Sequence, residues 1–247
     1  MEGRVAIVTG GGQGIGAATA RLLAQRGAAV TVNYLSNSAA ADQLVAEIKK
    51  SGGKATAIRA DIRIPEQVNE LVSQTLSEYK RIDIMVNNAN MSFVQKPFLE
   101  MAWDEFAQKL NDEMKAAFYM TKAVAPTMIE QKYGRLVYVA SGLAKHPGPR
   151  FIAHGSSKAA LAGFVRYIAQ ELGPHGITAN TVSPGLTETR ATAAQPAEFK
   201  QRLVAVTPMS RIGQPDDVAK VIAFYASEDC GFVTGAYTPV NGGAQME

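Results

Sequence analysis

The chain has 247 residues, of which 47% are hydrophobic and 19% are charged, and its formal net charge is +3. This composition supports a sizeable core, in one large domain or two small ones, and argues against disorder. The basic residues are scattered, which gives no support for nucleic-acid binding.

The number of cysteines and the lengths of the apolar runs indicate the cellular compartment in which the protein is found. Cys230 is the single cysteine, so an intrachain disulfide is excluded and a reducing compartment fits. No apolar run approaches the ~20 residues that span a bilayer. Because the first apolar run begins almost at Met1, we expect no signal peptide, no membrane association and a cytoplasmic protein.

Short apolar runs alternate with stretches of helical periodicity along the chain. After a first strand at Val5, the predicted strands are Ala28–Asn33, Lys54–Ala60, Ile82–Val86, Leu136–Ala140, Ile177–Val182 and Tyr237–Val240. After a first helix closed by Gly27, the predicted helices are Ala39–Lys50, one that begins at Pro65, Trp103–Gln131, Phe151–Leu172, a short piece near Glu198–Val206, and one from Pro215 to about Ser227. This alternation predicts an α/β fold with one doubly wound parallel sheet of about seven strands and helices on both faces.

Several boundaries rest on single residues. Ser36 or Ser38 is the expected N-cap of the second helix, and Gly134 is expected to end the long helix. Pro239 removes a backbone donor, so the last strand is expected at an edge of the sheet.

The segment from Val5 to Leu23 contains a strand, a glycine-rich turn and a helix, in that order. Without side chains in the turn, backbone N–H groups and the positive end of the helix can approach a pyrophosphate closely. This segment therefore predicts a dinucleotide site. Since ligands of such sheets lie beyond the carboxyl ends of the strands, the residues that follow each strand are the other site candidates.

Four motifs at these strand ends resemble the short-chain dehydrogenase/reductase family, especially its 3-oxoacyl-carrier-protein reductases. Thr9–Gly16 matches the family pattern TGxxxGIG, and Asn87–Ala89 matches NNAG except that Asn90 replaces the glycine. Pro184–Gly185 and Asn241–Gly243 also fit. The resemblance covers nearly the whole chain and implies one Rossmann-type domain over residues 1–247.

The resemblance also implies positions for the cofactor. The pyrophosphate would lie against Gly10, Gln13, Gly14 and Ile15, the adenine against Asp61 and Ile62, and the ribose region against Asn87 and Ala89. Pro184, Gly185, Thr187 and Thr189 would lie near the nicotinamide and diphosphate, and Lys158 would bind the nicotinamide ribose. A strand-end turn or cap is the alternative for Asp61, and a plain polar loop is the alternative for the two threonines.

The choice between NADP and NAD depends on the end of the second strand. An acidic residue there would repel a 2′-phosphate, and the candidates Tyr34, Ser36 and Asn37 are not acidic. No Arg or Lys lies in this stretch either, so hydroxyl and amide groups would hold the phosphate. We expect NADP, with NAD as the alternative.

Family chemistry uses an Asn, a Ser, a Tyr and a Lys, and this chain matches two of them. Ser141 and Lys158 are in place, whereas His154 stands at the tyrosine position and Glu113 at the asparagine position. Spacing of i,i+4 places His154 and Lys158 on one helix face. The lysine charge should lower the pKa of the imidazole, and a neutral imidazole suits alcohol oxidation better than ketone reduction. A structural histidine at an inactive site is the alternative for His154, and a salt bridge is the alternative for Glu113.

Two functions follow from this pattern. The first is an NAD(P)-dependent oxidoreductase that interconverts a ketone and a secondary alcohol, 3-oxoacyl thioesters included, with an altered proton relay. The second is a cofactor-binding protein without redox turnover, either an inert subunit of a hetero-oligomer with a second family member or a lyase or isomerase on the same fold. No His/Cys/Asp cluster has ligand spacing, so no metal is expected.

The sequence also suggests which residues cover the substrate and which form a subunit interface. Residues 187–207 are expected to form a lid over the substrate, and Met91, Phe93, Phe98 and Phe151 an apolar part of its pocket. By analogy with the family, the two long helices would form a homodimer or homotetramer. Phe164, Tyr167 and Ile168 are interface candidates, with core positions as the alternative.

Overall fold

Seven parallel strands form one sheet in the computed structural model, which describes residues 1–193 and 195–246, without the side chain at position 191. The strands are β1 Val5–Val8, β2 Ala29–Tyr34, β3 Lys54–Arg59, β4 Ile84–Asn87, β5 Gly134–Val139, β6 Ile177–Pro184 and β7 Tyr237–Val240. Their order is β3-β2-β1-β4-β5-β6-β7, and every pair is parallel. The chain order reverses between β1 and β4, which creates a crevice at the carboxyl ends of these two strands.

Helices cover both faces of the sheet. They are α1 Gly14–Gln25, α2 Ser38–Lys50, α3 Pro65–Tyr79, α4 Trp103–Gln131, α5 Ile152–Leu172, α6 Arg190–Ala193, α7 Ala197–Val206 and α8 Pro215–Tyr225. Among the described residues, no helix is long and apolar enough to cross a membrane.

A hydrophobic core lies on each face of the sheet, because successive side chains of a strand point to opposite faces. Each core packs against its own layer of helices. In β1, Ala6 and Val8 face the core under α1, α2 and α8, whereas Ile7 faces the core under α3, α4 and α5. In β5, Val137 and Leu136 divide between the two cores in the same way. The predicted doubly wound parallel sheet is confirmed.

Most predicted elements are present, and the differences lie at their ends. Trp103–Gln131 and Tyr237–Val240 are found as predicted, and β7 is an edge strand. The predicted N-cap of α2 was wrong, because Asn37 accepts the Ala40 N–H and Ser38 is already helical. The prediction that Gly134 ends α4 was also wrong, although the helix does end at Gln131.

The end of α4 shows what Gly134 does instead. Lys132 closes the helix in the left-handed region at φ 52°, and Gly134 starts β5. A Cβ at Gly134 would lie 2.6 Å from Met128 Sδ and 3.0 Å from Ile177. The glycine is therefore needed for close packing under the sheet rather than for a turn.

Candidate active site

The loop between β1 and α1 forms a cradle of bare backbone. Gly10 and Gly14 have positive φ angles of 59° and 55°, which side-chain-bearing residues rarely adopt. A Cβ at Gly16 would lie 2.3 Å from the Gly10 carbonyl oxygen. Gln13 is the N-cap of α1, and within the described residues its side chain does not cap the helix, so the first amides of α1 remain available to an anion.

Thr9 and Asn88 brace this loop from β1 and β4. Asn88 Nδ2 donates to the carbonyl oxygens of Thr9 at 2.9 Å and of Gly10 at 3.2 Å. Thr9 Oγ1 accepts the backbone N–H groups of Asn88 at 3.0 Å and of Ala89 at 3.1 Å. The sequence prediction named Ala89 but missed this brace, which joins the glycine loop to the end of β4.

Asn87 offers an unused polar atom beside the brace. The residue is 2% exposed, and its Oδ1 has no hydrogen-bond partner among the described residues. A buried acceptor of this kind is normally satisfied by water or a ligand. Together with the cradle, this orphaned oxygen fits the ribose of a bound dinucleotide.

Asp61 at the end of β3 is paired with Arg63. The guanidinium donates to Asp61 Oδ2 at 2.6 Å and Oδ1 at 2.9 Å, and its Nη1 reaches Asp112 Oδ2 of α4 at 3.0 Å. The hydrogen bond from Arg63 is the largest cause of the lowered pKa of Asp61. Ile62 is 4% exposed and belongs to the core under α3 and α4.

The end of β2 holds the residues that were expected to discriminate between NADP and NAD. Tyr34 is half-buried and Ser36 is exposed, whereas the Asn37 amide caps α2. Arg59, which pairs with Tyr34 across the sheet, donates from Nε to the Leu35 carbonyl oxygen at 3.1 Å. The sequence prediction found no basic residue here, because Arg59 comes from the neighbouring strand.

Glu113 lies between two buried lysines. Its Oε1 accepts from Lys158 Nζ and its Oε2 from Lys109 Nζ, each at 2.6 Å, and the three side chains are at most 3% exposed. Lys158 also donates to the Val139 carbonyl oxygen at 2.8 Å, so β5 holds its amine at the end of the sheet. Burial opposes ionisation of Glu113, but the two lysine charges outweigh it and lower its pKa to about 2. The alternative salt-bridge role of Glu113 is therefore present in the structure.

His154 is neutral in this setting. It is 8% exposed, and its ring stacks on Phe93 with the centroids 4.5 Å apart. Burial is the largest cause that lowers its pKa to about 3, and the charges of Lys158 and Lys109 lower it further. Its Nδ1 has no hydrogen-bond partner in the described part of the chain.

Ser141 follows β5 and begins a short 3-10 turn, Gly142–Ala144. Its Oγ accepts the Leu143 N–H at 3.3 Å and so retains its own proton for donation. The Tyr237 hydroxyl donates to the Ser141 carbonyl oxygen at 2.9 Å and lies 2.8 Å from Ser183 Oγ. These contacts join the carboxyl ends of β5 and β6 to the first residue of β7 around the serine.

The segment after β6 reaches back over the glycine loop. A Cβ at Gly14 would lie 3.3 Å from Thr189 Cγ2, so Thr189 covers the start of α1. Thr187 is 4% exposed, and its hydroxyl donates to the Gly185 carbonyl oxygen at 3.1 Å. Pro184 ends β6. The structure thus brings this predicted segment and the pyrophosphate loop together.

Comparison with known proteins identifies the family. The family model described as "Enoyl-(Acyl carrier protein) reductase" matches residues 10–245. The 3-oxoacyl-(acyl-carrier-protein) reductase of Synechocystis sp. is 36% identical over 247 residues, covering 100% of this chain and 98% of the relative. The chain belongs to the short-chain dehydrogenase/reductase family.

Other members extend this result. Subunit BbsD of the (2S)-((R)-hydroxy(phenyl)methyl)succinyl-CoA dehydrogenase of Thauera aromatica is 37% identical over 248 residues, covering 100% of this chain and 98% of the relative. The crystal structure of a dehydrogenase/reductase from Sinorhizobium meliloti aligns with a TM-score of 0.91 at 35% identity, covering 100% of this chain and 96% of the other. The chain is therefore similar to family oxidoreductases with different named substrates.

Within this short-chain dehydrogenase/reductase site, the sequence prediction missed Thr9, Asn88, Arg59 and Lys109. A signal was present for Lys109, because it precedes Glu113 at i,i+4 spacing on a predicted helix. Thr9 and Asn88 lie inside the two motifs that match the family, but the prediction gave neither residue a role. Arg59 gave no local signal.

Proposed function

We propose that the chain is an NADP-dependent oxidoreductase that interconverts a ketone and a secondary alcohol, with NAD as a weaker cofactor. The observation that carries the proposal is the shared location of two built sites. The bare glycine cradle and the buried group of Glu113, Lys158 and His154 both lie at the carboxyl ends of the parallel strands. A bound nicotinamide dinucleotide would supply or accept the hydride there.

The chain's own residues handle binding and the proton. The Ser141 hydroxyl donates a hydrogen bond to the substrate oxygen and stabilises charge that develops on it. Lys158, held by Glu113 and the Val139 carbonyl oxygen, presents its remaining N–H to the ribose hydroxyls. With a pKa near 3, His154 stays neutral and moves a proton only in concert: one ring nitrogen gives a proton to the substrate oxygen while the other takes one from a bound water, and alcohol oxidation runs the same transfers in reverse.

NADP is proposed because the charge at the end of β2 favours it. No acidic residue lies in the stretch 33–37, and Arg59 places a guanidinium on the Leu35 carbonyl oxygen. A guanidinium matches the geometry of a phosphate. One relative, from Sphingomonas sp., is named an L-rhamnose 1-dehydrogenase (NAD(P)(+)), which supports the use of either cofactor within this family.

The substrate is proposed to be a 3-oxoacyl thioester or a related ketone. Relatives named 3-oxoacyl-(acyl-carrier-protein) reductases support this class. Phe93 and Phe151 lie 6.0 Å apart beside His154 and offer an apolar wall. We further propose that the chain is one domain in which residues 187–207 form a lid, since Phe199 and Val206 of α7 are exposed and free to meet an acyl chain.

A homodimer or homotetramer is proposed from the exposed aromatic residues of α4 and α5. Trp103 and Tyr167 are each 73% exposed, on two helices that pack against each other. Phe164 and Ile168 are partly buried against the core, so of the three interface candidates Tyr167 offers the most exposed surface. Light scattering coupled to size exclusion tests this, and a monomer at micromolar concentration would contradict it.

The experiment for the function combines binding and turnover. NADPH and NADH are titrated against the protein by fluorescence, and NADPH oxidation is then followed with 3-oxoacyl thioesters and small ketones. The proposal expects binding of both cofactors and turnover with at least one substrate class. Binding without turnover for the whole panel, in both directions, would overturn it.

An inert subunit in a hetero-oligomer is the second candidate. It is favoured by His154 at the tyrosine position and by the name of the Thauera relative, which is a subunit of a dehydrogenase. Affinity purification from the source cells distinguishes the two. A second family member in equal amount supports the second candidate, whereas a homo-oligomer with its own turnover rejects it.

A further inference from the structure

Lys109 is an ammonium group with no exposed surface. Its Nζ donates to Glu113 Oε2 at 2.6 Å, to the Met91 carbonyl oxygen at 2.8 Å and to Asn90 Oδ1 at 2.9 Å. An ammonium has three hydrogens, so these acceptors use all of them. Lys109 therefore does not touch the substrate, and its effects reach the site through the groups that it holds.

The three positions where the chain departs from its family all surround this lysine. Asn90 and Glu113 bind its Nζ directly. The Phe93 ring lies 5.4 Å from Nζ, and His154 stacks on the same ring. All three departures therefore lie where the charge of Lys109 can act on them.

Charge makes the members of this group dependent on one another. Two lysines share the single carboxylate of Glu113, and burial of an unpaired charge is costly. If Lys109 is removed, Glu113 has one oxygen without a partner and two acceptors of the segment 90–91 are released. Glu113 then keeps its contact with Lys158 through Oε1, but no other group in the described part of the chain fixes the orientation of the carboxylate about that contact.

We propose that Lys109 is a positioning residue that holds Glu113 against Lys158 and ties the segment Asn90–Met91 to α4. This role deepens the proposed oxidoreductase function and rests on it. The cluster Asn90–Lys109–Glu113, together with Lys158, takes the place of the family's asparagine. Its geometry depends on the proton of Lys109, because a neutral amine has two hydrogens for three acceptors.

The pH at which this proton leaves follows from the surroundings. Burial is the largest cause that lowers the pKa of Lys109 to about 8; Lys158 adds to the lowering, and Glu113 and Asp112 oppose it. His154 from α5 is neutral, and residues 90–93 carry no charge. Turnover is therefore expected to fall as the pH rises through about 8, while cofactor binding does not.

The test compares Lys109→Gln with Lys115→Met, a control on an exposed lysine of the same helix. Lys109→Gln is expected to lower kcat on the order of tenfold to a hundredfold, since small misplacements of catalytic groups have effects of that size. KM and the NADPH dissociation constant should stay within about twofold, as for a purely positional change. If kcat of Lys109→Gln equals that of the wild type and falls at the same alkaline pH, the proposal is overturned.

Asn90→Gly provides a variant that keeps the ion pairs. It leaves the Lys109 amine with two acceptors, which the two hydrogens of a neutral amine can satisfy, so the fall of kcat above about pH 8 should be lost in this variant. If kcat of Asn90→Gly falls at the same alkaline pH as kcat of the wild type, the proposed role is contradicted even if Lys109→Gln does not fold.

A readout without turnover separates this proposal from the proposed function. The unfolded chain holds the Lys109 proton up to about pH 10.4, whereas the folded chain releases it near pH 8. The melting temperature of the wild type should therefore rise relative to Lys109→Met between about pH 8 and pH 10. If the melting temperature rises in this way but no substrate turns over, the proposed oxidoreductase function is wrong and the charged, buried Lys109 cluster is retained. If the melting temperature does not rise, the proposal for Lys109 is wrong.

Discussion

His154 is a neutral residue that stacks on an aromatic ring and lies within the influence of two lysine charges. Its stacking on Phe93 and its burial both remove water, and water is what stabilises an imidazolium. A histidine in this state acts as a hydrogen-bonding relay and is a weak base on its own. A pKa near 3 leaves the imidazole little basicity, which favours the proposed relay over a general-base role in alcohol oxidation.

The depressed pKa of His154 predicts a loss of stability in acid. The folded pKa is about 3, and the unfolded value is about 6.5. The unfolded chain takes up the proton first, so the free energy of unfolding falls as the pH drops from about 6.5 towards 3. Between pH 7 and pH 5, His154 alone should account for roughly 2 kcal/mol of that fall.

Urea unfolding of His154→Gln at both pH values measures this contribution. The variant should lose less stability than the wild type, and His175→Gln, on an exposed histidine, should match the wild type. An equal acid loss in His154→Gln and wild type would show that His154 is not held neutral.

Arg59 is the residue that sets the expected preference for a 2′-phosphate. Arg59→Ala should weaken NADPH binding about five- to tenfold and leave NADH binding unchanged, because a charge-assisted hydrogen bond near the surface contributes about 1–1.5 kcal/mol. Fluorescence titration measures both constants. An equal loss for the two cofactors would place the effect in the Leu35 backbone contact instead.

At the scale of elements, the loop from β1 to α1 works because β4 braces it. Four hydrogen bonds link Thr9 and Gly10 to Asn88 and Ala89, and two of them are between Thr9 and Asn88 themselves. The strands β1 and β4 are neighbours in the sheet, although Thr9 and Asn88, which follow them, are 79 residues apart in the sequence. The phosphate cradle is therefore a tertiary structure rather than a local motif.

Gly16→Ala tests the closeness of this packing. A Cβ would lie 2.3 Å from the Gly10 carbonyl oxygen and 2.6 Å from Asn88 Nδ2, so the brace must open. We expect a loss of about 1–3 kcal/mol in unfolding free energy and at least about tenfold weaker NADPH binding.

The matched control is Gly163→Ala in α5, where a Cβ meets nothing within 4 Å. It should raise the unfolding free energy by about 0.5–1 kcal/mol and leave binding alone. Wild-type NADPH affinity in Gly16→Ala would contradict the proposed cradle.

At the scale of the whole molecule, the periodicity of the sequence was enough to predict the sheet. Ile7 between Ala6 and Val8 faces a different core from its neighbours, and such buried strands give continuous apolar runs. The cap of α2 was not predictable in the same way, because Ser36, Asn37 and Ser38 are all good capping residues. Only the backbone conformation at Asn37 selects one of them.

The candidate site was predictable where it follows strand ends and unpredictable where separate elements meet. Ser141 could be named from its place after β5, whereas Lys158 and Glu113 lie within helices and were named from the family resemblance. Their pairing is present at 2.6 Å. The two contacts of Lys109 with residues 90–91 depend on how the loop folds over α4. Arg59 depends on the register of β2 with β3, which local patterns do not contain.

Redox turnover at the altered cluster distinguishes an active enzyme from an inert subunit. The most direct measurement is NADPH oxidation under single-turnover conditions with a 3-oxoacyl thioester, for the wild type, for His154→Ala and for the family-like double variant His154→Tyr, Glu113→Asn. We predict turnover by the wild type and a loss on the order of a hundredfold in His154→Ala at unchanged NADPH affinity. An idle wild type beside an active double variant would contradict the account.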